Sequence, residues 1–205
     1  MDIGNAAYWA RSDSILGPGE QGLNTDTGEF RYGDGHSLWP DLPSVGVAST
    51  GWGNYVDSQY TEAEPLQLAA DTATLLDNDA LGALTNEDYL PIAGQSLYNA
   101  ETHTILGYQG DAKLITLDFK AKPTNANTTY IEHWIDIGGS VGELYRRISS
   151  FPKGNGVERP IVTTTAVYTL DTWEQNGGQV FVQANNTCDI YDLRFVIFRV
   201  HRARD

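Results

Sequence analysis

Hydrophobic and polar residues alternate along much of this chain with the two-residue period of a half-buried β-strand. Residues 113–121 give the plainest case: Ile115, Leu117 and Phe119 share one face, and Leu114, Thr116, Asp118 and Lys120 the other. Residues 129–137 place Ile131, His133, Ile135 and Ile137 on one side and Tyr130, Glu132, Trp134 and Asp136 on the other. Residues 189–200 divide into Tyr191, Leu193, Phe195 and Ile197 against Asp192, Arg194, Val196, Phe198 and Val200. The same reading predicts strands over 66–70, 142–149, 161–170 and 179–184. Turn signals separate them: Lys122-Pro123-Thr124-Asn125, Gly138-Gly139, Pro152-Lys153-Gly154-Asn155-Gly156, Asn176-Gly177-Gly178 and Asn185-Asn186. Short strands at such spacing predict a two-sheet sandwich over residues 54–205. Residues 71–87 fit either a helical turn around Leu75-Leu76 or a long loop.

Two of the faces are unusual. Large aromatics mixed with acids, as on the Tyr130–Glu132–Trp134–Asp136 side, are typical of interfaces. The outer side of 189–200 turns apolar halfway along, at Val196, Phe198 and Val200. The outside of a sandwich is normally wet, so this side needs a cover. The cover is either another subunit at a three-fold interface or the chain's own segment 71–95. Trp134, Val196, Phe198 and Val200 are the candidate interface residues.

The first residues follow a different rhythm. Ala6-Ala7-Tyr8-Trp9-Ala10 is long enough for one helical turn, ended or capped by Asp13 or Ser14. Pro18-Gly19 marks a turn. Residues 21–24 and 29–32 read as a pair of strands around the tight turn Asp26-Thr27-Gly28. Gly33-Asp34-Gly35 is a second turn, and Trp39 and Leu42 bring apolar bulk beside Pro40 and Pro43. The chain therefore divides into a module at 1–46, a Gly-rich junction at 47–53 and the sandwich at 54–205. A module so small is short of buried surface by itself and calls for a partner, most simply copies of itself.

Composition agrees with an all-β protein of 205 residues: 40% of positions are hydrophobic, and 21 glycines and 8 prolines supply the turns. The net charge of −14 lies wholly before residue 111, where the only bases are Arg11 and Arg31. Such a surface repels a phosphate backbone, which argues against nucleic acid as a partner. It suits either solubility or docking on a basic partner. The single cysteine, Cys188, excludes an intrachain disulfide and fits folding in a reducing compartment. The N-terminus lacks the charged and apolar regions of a signal peptide, and no apolar run is long enough to span a bilayer, so no membrane partner is expected.

The module carries the string Gly19, Glu20, Gly22, Thr25, Asp26, Thr27, Gly28, Phe30, Gly33, Asp34, Gly35, Trp39, Leu42 and Pro43. In this order and spacing the string resembles the N-terminal repeat of phage tail fibres, phage hyaluronidases and major tropism determinants. The resemblance implies an intertwined trimer on the surface of a bacteriophage particle. The segment Leu81-Gly82-Ala83-Leu84-Thr85-Asn86-Glu87-Asp88-Tyr89-Leu90-Pro91, with Leu97-Tyr98-Asn99 and the later strands, more loosely resembles the tumour-necrosis-factor-like jelly rolls of phages. That likeness implies a homotrimeric jelly roll after the module.

Catalytic motifs are scarce. There is no phosphate loop, zinc-protease helix or nucleophile elbow. Cys188 has no neighbouring histidine, and His36, His103, His133 and His201 are scattered. His133 lies between Ile131 and Ile135, as a hydrogen-bonded core histidine would. Glu132, Asp136 and Glu143 form a trio that glycosidase chemistry would need across a cleft. Asp77, Asp79, Glu87 and Asp88 lack the spacing of a calcium loop. Arg146, Arg147, Arg199, Arg202 and Arg204 are available to acids of a neighbouring subunit.

No cofactor, metal or catalytic residue is expected. The first reading is a non-enzymatic, homotrimeric capsid decoration (cement) protein. It would clamp major capsid subunits, or another virion subunit, on the virion surface after assembly in the bacterial cytoplasm. The second is a receptor-binding fibre tip for a cell-surface glycan, for which an exposed Trp134 or Trp173 would speak. The third is a polysaccharide-degrading enzyme.

Overall fold

In a computed structural model, described here for residues 2–9, 15–25, 29–42, 50–91, 94–152 and 156–201, the chain forms two compact units, Met1–Ser49 and Thr50–Asp205. In the first unit, β1 (Asp2–Gly4) runs parallel to β2 (Gln21–Asn24), which pairs antiparallel with β3 (Glu29–Tyr32). A single turn, α1 (Ala6–Trp9), follows β1, and a 3-10 turn covers Trp39–Asp41. Asp26, Thr27, Gly28 and Pro43 of the motif lie outside the described residues, as do Asp13, Ser14, Arg202 and Arg204.

The second unit is a sandwich. Its strands are β4 (Gly51–Val56), β5 (Leu66–Leu68), β6 (Thr74–Leu75), β7 (Tyr98–Asn99), β8 (Thr104–Ile105), β9 (Ala112–Pro123), β10 (Tyr130–Asp136), β11 (Glu143–Ser150), β12 (Arg159–Tyr168), β13 (Gly178–Ala184) and β14 (Cys188–His201). One helix, α2 (Asp171–Asn176), joins β12 to β13. One sheet has the order β12-β9-β14-β4, with β5 also on β14. The other has the order β11-β10-β13-β8-β7, with β6 also on β13. The chain crosses from sheet to sheet at β5–β6, β8–β9, β9–β10, β11–β12, β12–β13 and β13–β14, and every pairing between strands of this unit is antiparallel. This nested double Greek key is a jelly roll.

The alternation seen in the sequence builds the core. Ile115, Leu117 and Phe119 of β9 meet Ile131 and Ile135 of β10, Val180 and Val182 of β13, and Leu193, Phe195 and Ile197 of β14 in one buried cluster. Polar partners on the outer faces stay wet, as the period of two requires.

Three expectations change. Gly51, Trp52 and Gly53, assigned to the junction, belong to β4, which pairs residue for residue with β14. Gly53 is there for space: a Cβ would lie 2.5 Å from the Tyr55 hydroxyl. The face assigned to β14 also breaks. The β9–β14 register shifts between Tyr191 and Arg194, where Asp192 takes a φ of 54°. The bulge turns Ile190 into the core and leaves Tyr191 opposite Lys120, whose ammonium lies 5.8 Å from its ring. Thirdly, Lys122 and Pro123, read as a turn, end β9.

Candidate functional site

In the first unit the motif residues serve the fold of the unit. Trp39 stacks on Trp9 at 3.9 Å, and with Leu16 and Leu42 they form its small buried cluster. The Trp9 indole N–H donates to the Gly4 and Leu23 carbonyls, both at 3.0 Å, tying α1 to β1 and β2. Gly22 lies beneath Trp39, so close that a Cβ would come within 2.3 Å of the ring. Arg31, opposite Gly22 in the strand register, donates to the carbonyls of Trp39 (2.7 Å), Pro40 (2.8 Å) and Leu42 (2.5 Å). One guanidinium therefore gathers the whole Trp39–Leu42 turn.

Several other described motif residues close turns. Glu20 accepts from the Gly17 N–H through its carboxylate, and the Glu20 carbonyl accepts from the Gly33 N–H. Thr25 bonds to Gly4, while Gly19 and Gly35 take φ of 77° and 86°. Asp34 accepts from the Ser37 hydroxyl and from the N–H groups of Ser37 and His36. These bonds hold its carboxyl far below the usual carboxylate range. Phe30 is opposite Leu23, which is opposite Ile3. This row crosses the three strands and leaves Ile3 exposed.

In the sandwich the four candidate interface residues separate. Trp134 is 4% exposed and sealed by its own chain. Phe181 stacks on one side at 5.9 Å, and the Arg146 guanidinium lies 4.1 Å from its ring centroid. Trp134 was expected to face another subunit; instead its own sheet and Arg146 cover it. Trp173 is likewise buried, its indole N–H bonded to the Ile105 carbonyl. Val196 is half-buried, whereas Phe198 (38%) and Val200 (45%) remain open.

The segment 71–95 does reach this sheet, but over β4. Tyr89 stacks on Trp52 at 5.1 Å, and the Trp52 N–H bonds to the Tyr89 carbonyl. Beside Trp52 lies the Phe198 ring, tilted, with the two centroids 6.3 Å apart. In the strand register, Trp52, Phe198, Leu114 and Ala166 form one row across four strands. Val200 and Tyr168, also exposed, lie towards the same end of the sheet, while exposed Val162 stands beyond the Thr116–Thr164 pair, in register with Asp118. Sequence reasoning found the β14 part of this band and missed the β12 part, because Val162 and Tyr168 were not assigned to a face.

The carboxylate trio does not form a catalytic pair. Arg146 joins Glu143, at 2.6 and 3.0 Å, to Glu132. The Arg146 guanidinium thus lies between the two carboxylates and ties both to the protein. Asp136 is turned to the Gly138 N–H at 2.7 Å. The acids of 77–88 are acceptors within the loops: Asp77 from Tyr60, Asp79 from Ser58 and Leu81, Glu87 from Tyr55 and Ser96. Among the described residues no group of three or more His, Cys, Asp or Glu side chains is gathered as a metal site would need.

Arg199, expected to be available to a neighbour, is 2% exposed and 4.0 Å from buried Asp111, which also binds Lys113 at 2.9 Å. Burial pushes the Cys188 thiol up to about 12, which leaves it protonated and inert. His133 is a core residue, its Nε2 2.9 Å from the Thr163 hydroxyl across the two sheets. No described helix is long and apolar enough to cross a membrane.

No family model matches the chain. A segment of 37 residues is 60% identical to a hyaluronoglucosaminidase of Streptococcus pyogenes phage H10403. It covers 18% of this chain and only 11% of the length of that protein. Similar solved structures include the globular domain of zebrafish complement 1qA protein, with a TM-score of 0.45, 10% identity, and 75% of this chain and 99% of that one covered. Another is the Eiger TNF of S. frugiperda, with a TM-score of 0.45, 9% identity, and 76% and 94% covered. The PRD1 vertex protein P5 has a TM-score of 0.45 at 15% identity, with 77% and 100% covered.

Proposed function

We propose that this protein is a structural subunit of a bacteriophage virion. It associates as a homotrimer on the particle surface and acts as a capsid decoration protein that binds between major capsid subunits. The observation that carries self-association is the outward group of Leu114, Phe198, Val200 and Tyr168, which the described residues leave exposed. An apolar sheet face of this kind marks an interaction surface. The stretch 60% identical to a phage protein supports the viral setting. The first unit supports the same reading: among its described residues four side chains form the buried cluster, and a small core gains from being covered by other copies.

What the molecule offers supports a decoration role. It presents surface for burial against neighbours, and Glu132, Asp136 and Glu143 are held by Arg146 and by the Gly138 N–H. Burying shared surface across a capsid junction stabilises the shell through binding alone.

Two measurements test this. Quantitative mass spectrometry of purified virions reads copies per particle against the major capsid protein. Hundreds of copies support decoration, a few move the protein to a tail or fibre, and absence from the particle ends the virion reading. Sedimentation of Phe198→Asp tests the band: the variant is expected to fold and to sediment as a monomer. A folded variant that stays trimeric removes this face from the interface.

A further inference from the structure

The sheet on the opposite side of the sandwich carries an open groove of about 530 Å³, lined by Thr129, Tyr130, Glu132, Ile148, Ser150 and Phe151. That volume lies within the range of ligand sites. Its floor is fixed by the strand register, which sets Tyr130 opposite Ser150 and Glu132 opposite Ile148. The lip is tied down as well. The Asn185 side-chain carbonyl accepts from the N–H groups of Thr129 (2.8 Å) and Tyr130 (3.1 Å), and the Phe151 N–H donates to the Thr129 carbonyl at 2.7 Å. The groove is thus preformed.

Its chemistry is mixed in a specific way. Tyr130 offers a flat aromatic face, and Ile148, 64% exposed, an uncovered aliphatic one. The lining also includes the hydroxyl-bearing residues Thr129 and Ser150 and the acid Glu132. Two nearby guanidiniums have protein acceptors: Arg146 binds Glu132 and Glu143, and Arg159 binds the Ser150 carbonyl. An anionic ligand would meet Glu132 with these cations already engaged. A wholly apolar ligand would strip water from three hydroxyls and a carboxylate without replacing their hydrogen bonds.

A ligand with a C–H face and several hydroxyl donors satisfies both halves of the lining. The ring face lies on Tyr130 and Ile148, and the hydroxyls donate to Glu132 and exchange bonds with Ser150 and Thr129. We propose that this groove is a binding site for a neutral saccharide ring. Glu132, oriented by its contact with Arg146, acts as a hydrogen-bond acceptor for the ligand's hydroxyls. This inference is independent of the trimer reading, because it uses the other sheet.

Saturation-transfer difference NMR on the full chain tests it, with glucose, galactose, N-acetylglucosamine and glucuronate as probes at millimolar concentration. Transfer to at least one neutral sugar is expected, with glucuronate weaker. Tyr130→Ala and Ile148→Ser should each reduce affinity roughly 5–10-fold, the scale of a lost stacking surface. Ile148 is exposed enough that its variant keeps the fold, which unchanged circular dichroism would verify. No transfer to any neutral sugar, transfer unaltered in Ile148→Ser, or a preference for glucuronate would each overturn the assignment.

Discussion

Acidification is expected to weaken the sandwich through one residue, His133. Its ring is buried between the sheets, bonded to Thr163 and edge-on to Phe119 at 6.1 Å. Burial first, and then the Arg147 charge, push its pKa from 6.5 down to about 4. The folded pKa lies below the unfolded one, so between these values the unfolded chain takes up the proton and the folded chain does not. The stabilisation is complete above pH 6.5 and is lost as pH falls towards 4. Across the whole window it amounts to about 3 kcal/mol, and between pH 7 and pH 5 to about 2 kcal/mol.

The assay is urea unfolding followed by tryptophan fluorescence at fixed protein concentration, since self-association adds its own stability. With a urea slope of about 2 kcal/mol per molar, the midpoint should fall by about 1 M between pH 7 and pH 5. His133→Leu serves as the reference. It loses the Thr163 bond and is less stable at pH 7, but the His133 part of the pH slope should vanish. His36, His103, His201 and the carboxylates are present in both proteins and cancel in the difference. Equal pH slopes in the two proteins would refute the claim that a neutral histidine is locked in the core.

Other outcomes follow from the first unit and from Cys188. Gly22→Ala places a Cβ within 2.3 Å of the Trp39 ring. It should destabilise the Trp9–Trp39 stack by about 1–3 kcal/mol, read as earlier thermal loss of near-ultraviolet dichroism. Arg31→Met leaves the Trp39, Pro40 and Leu42 carbonyls without their shared donor. A cost of about 1.5–3 kcal/mol is expected, with limited proteolysis near residue 42 as the readout. Cys188 should resist a thiol reagent at pH 8 in the native protein and react on unfolding; fast native labelling would contradict its burial.

The long strands were legible in the sequence because burial on one face imposes a period of two over seven or more residues, as in β9, β10 and β14. β6, β7 and β8 are two residues each, too short to carry a period. β4 was hidden by its glycines, which signal flexibility in a sequence but here make room for Tyr55 and for the 89–91 segment. The bulge at Asp192 is a tertiary event that no local pattern encodes. For the candidate surface, alternation correctly turned Phe198 and Val200 outward. It also turned Trp134 outward, but an outward side chain is not an exposed one. Arg146, twelve residues further along, closes over the Trp134 ring, and only the register of β10 with β11 brings the two together.

β14 lies between β9 and β4 and also holds β5, so most of its sheet is joined through the strand that comes last in sequence among those described. During synthesis, β4, β5 and β9 emerge with the edges that β14 will cover still unpaired. The jelly roll therefore cannot close until residues 188–201 have cleared the ribosome, and its earlier strands wait with those edges open. Chains arrested before residue 188 should accordingly be aggregation-prone, and a chaperone that shields strand edges should matter more to yield than one that rescues finished folds.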